Sequence, residues 1–355
     1  MKETLSQVLA HYQLDSRVSE CTAFGHGHIN RTFLVTTLSG CRYILQKINN
    51  KVFKNVDALM GNIDAVTEHL MKHATDPRQV LQLARTDRGQ SYLLHTDGTY
   101  WRMFRYVEGS LCLQAPETPK DFYESAIAFG RFQQMLKDFP AHTLVETIPN
   151  FHNTADRYRI FRETLEKDPK GRAKQVQEEI AFALAREEEA STLVNLLAEG
   201  KLPLRVTHND TKLNNVMLDA ATRTALCVID LDTVMPGLSL YDFGDSIRFG
   251  AATAAEDEKD LSKVQMSLEL FETYTKGFLT ACPGLTPLEK EMLPMGAKLM
   301  TLECGVRFLT DYLDGDNYFS TSYPGQNLDR CRTQFKLVAD MEAKWQKMHE
   351  IVSQI

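Results

Sequence analysis

Residues 205–218 read Arg205-Val206-Thr207-His208-Asn209-Asp210-Thr211-Lys212-Leu213-Asn214-Asn215-Val216-Met217-Leu218, and a second apolar run, Ala225-Leu226-Cys227-Val228-Ile229, ends in Asp230. Two β-type runs thus enclose a polar loop holding His, Asp, Lys and Asn. The spacing is that of a phosphoryl-transfer loop, in which the Asp accepts a hydroxyl proton, the Asn holds Mg²⁺ and an Asp beyond the next strand takes the same metal. Asp210, Asn215 and Asp230 fall on those three positions. A hard cation with few protein ligands, its other positions filled by water and phosphate oxygens, suits such a set. The competing reading is a solvated turn, since Asn and Asp dominate turns. The joint register of Asp210, Lys212, Asn215 and Asp230 weighs against it. Lys212 either meets a γ-phosphate or stands in solvent.

A literal Asp242-Phe243-Gly244 competes for the metal role, but it follows a Pro236-Gly237 break and lies well past Asp210. Asp230 ends an apolar strand, which aims a ligand rigidly. The metal is therefore expected at Asp230 and Asn215, with Asp242 a structural acceptor near the loop.

Upstream, residues 1–14 have helical spacing, and Val18–Phe24, Thr32–Thr37 and Arg42–Ile48 read as strands, the last two joined at Ser39-Gly40. Between the first two lies Gly25-His26-Gly27-His28-Ile29-Asn30. Such a hairpin either lays backbone N–H groups over phosphates, making Gly25, Gly27 and Asn30 nucleotide contacts, or is a plain tight turn. On Arg42–Ile48 the V-A-I-K pattern puts Gln46 where a phosphate-gripping lysine belongs, and Lys47 falls on the opposite face. A bulge turns Lys47 inward, or Gln46 contacts phosphate with help from other cations. Asp64 and Glu68, on a helix over 56–72, are candidates to orient that polar group. Val80–Thr86 and Ser91–Thr96 are expected to pair across Asp87-Arg88-Gly89, and Tyr100–Val107 completes a five-stranded antiparallel sheet. Phe104–Val107 would be the hinge, with Arg105 and Val107 offering backbone to an adenine edge.

From Thr118 onward helices dominate, over 118–138, 154–166, 173–198, 261–279, 286–313 and 330–354, the run Glu187-Glu188-Glu189 being an exposed face. Strands followed by helices predict an α+β, bilobal, protein-kinase-like fold. Residues 1–107 would form a nucleotide-binding lobe and 108–355 a larger helical lobe for catalysis and substrate.

At 355 residues the chain exceeds what one core usually holds, and 43% hydrophobic with 25% charged residues is a globular balance. A net charge of -7 argues against nucleic-acid partners, and no apolar run reaches the ~20 residues of a membrane span. Seven scattered cysteines without a C-x-x-C pair, and no apolar leader, fit a reducing cytoplasm. No obligate protein partner is evident.

The motifs His208-Asn209-Asp210 with Asn215, Ile229-Asp230 and Tyr241-Asp242-Phe243-Gly244 resemble the aminoglycoside phosphotransferase and choline kinase superfamily. Gly27-His28-Ile29-Asn30, Tyr43-Ile44-Leu45-Gln46, Ile229-Asp230-Leu231-Asp232-Thr233, Asp242 to Gly250 and Glu303-Cys304-Gly305-Val306-Arg307-Phe308-Leu309 are similar, over essentially the whole chain, to the N-acetylhexosamine 1-kinase family. That resemblance implies transfer of the ATP γ-phosphate to the anomeric hydroxyl of N-acetylglucosamine or N-acetylgalactosamine, with Mg²⁺ as cofactor. Asp210 would be the base. Candidates for sugar recognition are His28, Asp245, Arg307, Asp311 and Tyr318. Arg307 has two open fates, a structural salt bridge or a ligand contact. Two rivals stand: a kinase of another alcohol such as choline, an aminoglycoside or homoserine, and a nucleotide-binding regulator without catalysis, which only Gln46 favours.

Overall fold

The structure is a computed structural model describing residues 2–25 and 29–355. The motif residues Gly27 and His28 lie outside the described residues. Its amino-terminal part is an antiparallel sheet of β1 (Val18–Ala23), β2 (Arg31–Thr37), β3 (Arg42–Ile48), β4 (Leu93–Leu94) and β5 (Tyr100–Arg105), in the order β1-β2-β3-β5-β4. Alternation divides its two faces. Phe33, Val35, Tyr43, Leu45, Trp101 and Met103 form a small outer core with Leu5 and Val8 of α1 (Lys2–Leu9). Ile48 and Phe104, on the other face, join the main core together with Val56, Leu59, Ile63 and Val66 of α2 (Val56–His73). Asn55 starts α2 by accepting the Ala58 N–H.

The segment Val80–Thr86 departs from expectation. It does not pair as a strand with Ser91–Thr96. Ala84 donates to Met103 O and Gln82 accepts from Arg105 N, while Leu93 and Leu94 pair with Trp101 and Tyr100. One edge of β5 is thus shared by two segments, and neither has room for a full ladder. The Asp87-Arg88-Gly89 turn itself is present, with Gly89 at φ 75°.

Past β5 the chain makes β6 (Ser110–Cys112) and α3 (Pro119–Met135), whose start is a capping box of Thr118 and Asp121 with Pro119 at its first position. Helices α4 (Thr154–Lys167), α5 (Gln177–Leu184) and α6 (Thr192–Ala198) follow. The single helix expected over 173–198 is thus broken. Within the Glu run, Glu187 pairs with Arg162 and Glu189 with Lys298, so it is partly a docking edge. Strand β7 (Arg205–Thr207) pairs with β10 (Met235–Gly237), and β8 (Val216–Asp219) lies between β6 and β9 (Ala225–Val228). These short strands hold the loop read from the motif.

The carboxy-terminal helices are α7 (Ser239–Gly250), α8 (Leu268–Ala281), α9 (Pro287–Glu291), α10 (Leu293–Asp314), α11 (Gln326–Ala343) and α12 (Trp345–Gln354). Three expected helices are shorter or split: Ser267 caps α8 late, and breaks at Met292 and Lys344 divide the other two. Helix α10 is buried on most sides and packs on α4, α7 and α11. Where α7 crosses it the backbones nearly touch, because a Cβ at Gly244 would sit 2.3 Å from the Gly296 carbonyl oxygen. Gly244→Ala is therefore expected to destabilise the protein by about 1–3 kcal/mol, seen as a lower Tm, because the neighbour is backbone and cannot swing away. All seven cysteines are free thiols, and among the described residues no helix is long and apolar enough to cross a membrane.

Candidate active site

Two residues in left-handed backbone shape the loop: Asn209 (φ 65°) and Asp230 (φ 59°). Asn and Asp tolerate this region better than other side chains, and such residues concentrate at functional turns. Asn209 turns the chain after β7, and Asp230 turns it one residue beyond Ile229.

The turn is locked from beneath by side chains that do no chemistry. Buried Asp242 accepts the His208 and Asn209 N–H groups at 3.0 and 2.8 Å, and Gln133 at 2.7 Å. Buried Asp245 accepts the Thr211 N–H at 3.1 Å while ion-paired to Arg248 at 2.9 Å. His208 has no exposed surface; its Nε2 donates to Ile229 O at 2.8 Å and its Nδ1 accepts the Asp210 N–H at 3.3 Å. Those two bonds define one neutral tautomer that ties the loop to the end of β9. Thr233 donates to His208 O, and Asn209 donates to Thr233 O, so residues 208–210 and 230–233 move as one body.

On this base Asn215 Nδ2 donates to both the carboxylate (3.0 Å) and the backbone oxygen (2.8 Å) of Asp210, and Lys212 Nζ lies 3.1 Å from the other carboxylate oxygen. Burial alone would lower the Lys212 pKa, but Asp210 and Asp245 outweigh it and raise it, so the residue is a firm cation. Asp230 is reached by solvent, yet crowding by protein, followed by the charges of Asp232 and Asp210, pushes its carboxyl up to about 6. A group both accessible and crowded lies on the floor of a concavity. The fit to a divalent cation follows from that repulsion, since a cation beside Asp230 would relieve it. Among the described residues no three His, Cys, Asp or Glu side chains close into a cage, so Asn215 and Asp230 would share such an ion with phosphate and water.

Asp232 is buried and reaches across to the sheet, ion-paired with Arg102 of β5 and accepting Asn30 Nδ2 at 2.7 Å. Asn30 in turn accepts the Asn49 N–H. The site thus lies where the sheet meets the helical part. Gln46 Oε1 accepts from Arg102 at 2.9 Å and Nε2 donates to Thr32 at 3.2 Å. Asp64 and Glu68, expected to orient the strand's polar group, bond Arg85 instead, at 2.7 and 3.2 Å. Gly25 has φ 74° at the end of β1. At the strand exit, the Arg105 guanidinium lies on the outer face over Tyr43, leaving only its backbone toward the hinge. Tyr106 N–H is bonded to Arg42 O, and Val107 O accepts from Ser110.

Among the remaining candidates, Arg307 and Tyr318 come together. Arg307 stands 5.4–5.7 Å from the rings of Phe319, Phe151 and Tyr318, and among the described residues makes no ion pair. Glu303, one turn earlier on α10, is held by His152 and Thr154, both at 2.9 Å. Because His152 Nε2 also lies 3.3 Å from Asn209 O, this wall is anchored to the catalytic loop. Asp311 is buried and spent on the turn that presents Tyr318, accepting the N–H groups of residues 317–319 at 2.8–2.9 Å. Asp245 is likewise committed to the loop. A cavity of 390 Å³ lies behind the loop, bounded by Thr211, Leu213, Phe122 and Phe249, but Asp210, Asn215 and Asp230 do not line it. The chemistry is not placed there.

Residues 20–266 match the sequence profile of the phosphotransferase enzyme family, APH, and the chain belongs to that family. Its fold is similar to that of a crystal structure of an aminoglycoside phosphotransferase from Alicyclobacillus acidocaldarius (TM-score 0.64, 14% identity, 99% of this chain and 96% of that one). It is also similar to a microcompartment-associated aminopropanol kinase (0.60, 15%, 98% and 99%) and to a spectinomycin phosphotransferase solved with ADP and spectinomycin (0.59, 12%, 100% and 98%).

Proposed function

We propose that this chain is an ATP-dependent kinase that phosphorylates N-acetylhexosamines, N-acetylglucosamine or N-acetylgalactosamine, at the anomeric hydroxyl. The observation that carries the reading is the Asp210 carboxylate, held between Lys212 and Asn215 on the same rigid body as Asp230. The ADP held by the spectinomycin enzyme supports a nucleotide here. Residues 1–107 would carry the nucleotide and 108–355 the acceptor, with Phe104–Val107 as hinge.

Asp210 accepts the hydrogen bond of the attacking hydroxyl and takes its proton. Phosphoryl transfer is loose and asks more for positioning and charge neutralisation than for a strong base. An anomeric hydroxyl is more acidic than an ordinary alcohol, so an unexceptional carboxylate suffices. Lys212 meets the γ-phosphate and, being paired to Asp210, fixes the distance between base and phosphoryl group. Mg²⁺, held by Asn215 and Asp230, would neutralise charge on the phosphate oxygens. Gly25, Gly27 and Asn30 cover the phosphates, and the backbone at Arg105 and Val107 faces adenine. Arg307, Tyr318 and His28 bind the sugar, Asp311 holds Tyr318 in place, and Asp245 supports the loop beneath it.

The test is phosphorus NMR on a reaction of the protein with ATP, Mg²⁺ and N-acetylglucosamine. A product phosphate coupled to the anomeric proton is expected. Turnover confined to choline, aminoglycosides or homoserine, read as ADP release, would replace the sugar by another alcohol. Arg307→Ala is expected to raise the sugar KM roughly 10- to 100-fold, the loss of a charged hydrogen bond. The ATP KM should stay within about twofold, as its partners lie elsewhere. Equal rises in both would remove Arg307 from the sugar site.

A further inference from the structure

The strand position that usually supplies a phosphate-gripping lysine holds Gln46, and the register removes Lys47 from consideration. The β2–β3 and β3–β5 ladders run without a bulge, pairing Lys47 with Arg31 and Trp101. The Lys47 ammonium lies 5.8 Å from the ring of Trp101, which belongs to the outer core. Gln46 is paired directly with Arg102, and residues directly opposite in a sheet share a face. The cation on the inner face is therefore Arg102, one strand over.

Arg102 is 1% exposed, and it is placed by design of its neighbours. Gln46 fixes Nε and Asp232 pairs with Nη1, while Asn30 steadies the second Asp232 oxygen. Asp232 is two residues from Asp230, so the guanidinium sits beside the carboxylates assigned to the metal. A buried ion pair is a poor stabiliser compared with apolar packing and calls for another use. The acids of α2 that would orient a lysine are consumed by Arg85. Their task passes to Gln46 and Asp232.

We propose that Arg102 is the side chain that grips the nucleotide's α- and β-phosphates, with Gln46 orienting it and Asp232 as its counter-ion. A guanidinium has five N–H donors in a fixed fork, so it can keep Gln46 and still offer donors to phosphate oxygens, which a point-charge ammonium at this position could not do together. The assignment rests on the nucleotide reading above.

The test compares Asp232→Asn with the double variant Arg102→Met/Asp232→Asn, titrated calorimetrically with ADP and with adenosine in the presence of Mg²⁺. Removing both charges together avoids an orphaned buried ion, so the double variant is expected to fold. ADP should bind at least 30-fold more weakly to the double variant than to Asp232→Asn, while adenosine changes less than threefold. Equal ADP affinity in the two would overturn the assignment. If the double variant does not fold, Arg102→Lys serves. It should weaken ADP at least threefold with adenosine unchanged, and an unaltered ADP affinity overturns the proposal. A wild-type protein that binds ADP no more tightly than adenosine would instead remove the nucleotide reading itself.

Discussion

Asp210→Asn is expected to lower kcat by about 10²–10⁴-fold, the range of a lost general base, while leaving the Kd for ATP within about threefold. The substitution is nearly isosteric, and the loop does not depend on the Asp210 side chain for its shape. Asp242 and Asp245 hold the loop N–H groups, and His208 ties it to β9. Thermal stability should therefore stay within about 0.5 kcal/mol of wild type, the span of a substitution that breaks no structural contact. Lys212 loses its partner 3.1 Å away but keeps Asp245 in its field, so it remains charged. The measurements are kcat with a saturating acceptor, ATP titration by calorimetry, and a melting curve. A fall in kcat of less than tenfold would show that the hydroxyl proton goes elsewhere. Intact ATP binding with lost turnover would exclude a non-catalytic regulator as the whole account.

What could be read in advance and what could not divides by sequence distance. Asp210, Asn215 and Asp230 fall within a short span, and a loop flanked by two apolar runs leaves few ways to arrange them. The same holds for β1 to β3, joined by short turns. Arg102 escaped notice because its meaning comes from pairing with Gln46, 56 residues away, and with Asp232, 130 away. Only the register of three strands brings these together. The strut from Glu303 through His152 to Asn209 spans 151 and 57 residues and leaves no local signal. Asp311 illustrates the converse: a polar residue on an apolar helix invites a ligand role, but its carboxylate caps a turn of its own chain. The helix breaks at Met292 and Lys344 involve neither Pro nor Gly at those positions, so periodicity ran through them. Val80–Thr86 has strand composition, but β5 has one free edge and two segments claim it.

Asp230→Asn should separate function from stability in opposite directions. Turnover is expected to fall by about 10²-fold or more, since a preorganised charge at the reacting phosphate is lost. In the absence of metal and nucleotide, however, the variant should be more stable than wild type at pH 8. The Asp230 carboxyl is raised from 3.8 to about 6, by burial first and then by Asp232 and Asp210. A raised pKa means that the folded state binds the proton more tightly than the unfolded one, so wild-type stability is highest below about pH 4 and falls as pH climbs through 6. Asparagine carries no proton to lose and takes the same left-handed backbone, so it escapes this penalty. Two units would correspond to about 3 kcal/mol, but solvent reaches this carboxylate and screens it, which reduces the expected gain to about 1 kcal/mol. The Tm difference should be a few degrees in favour of the variant at pH 8 and vanish near pH 4.5. Added Mg²⁺ with ADP should raise the wild-type Tm and leave that of the variant nearly unmoved, because ligand that binds only the folded state stabilises by mass action. A variant less stable than wild type at pH 8, or one that responds to Mg²⁺ and ADP as wild type does, would mean that the Asp230 carboxylate is paired within the fold and not kept in reserve for a cation.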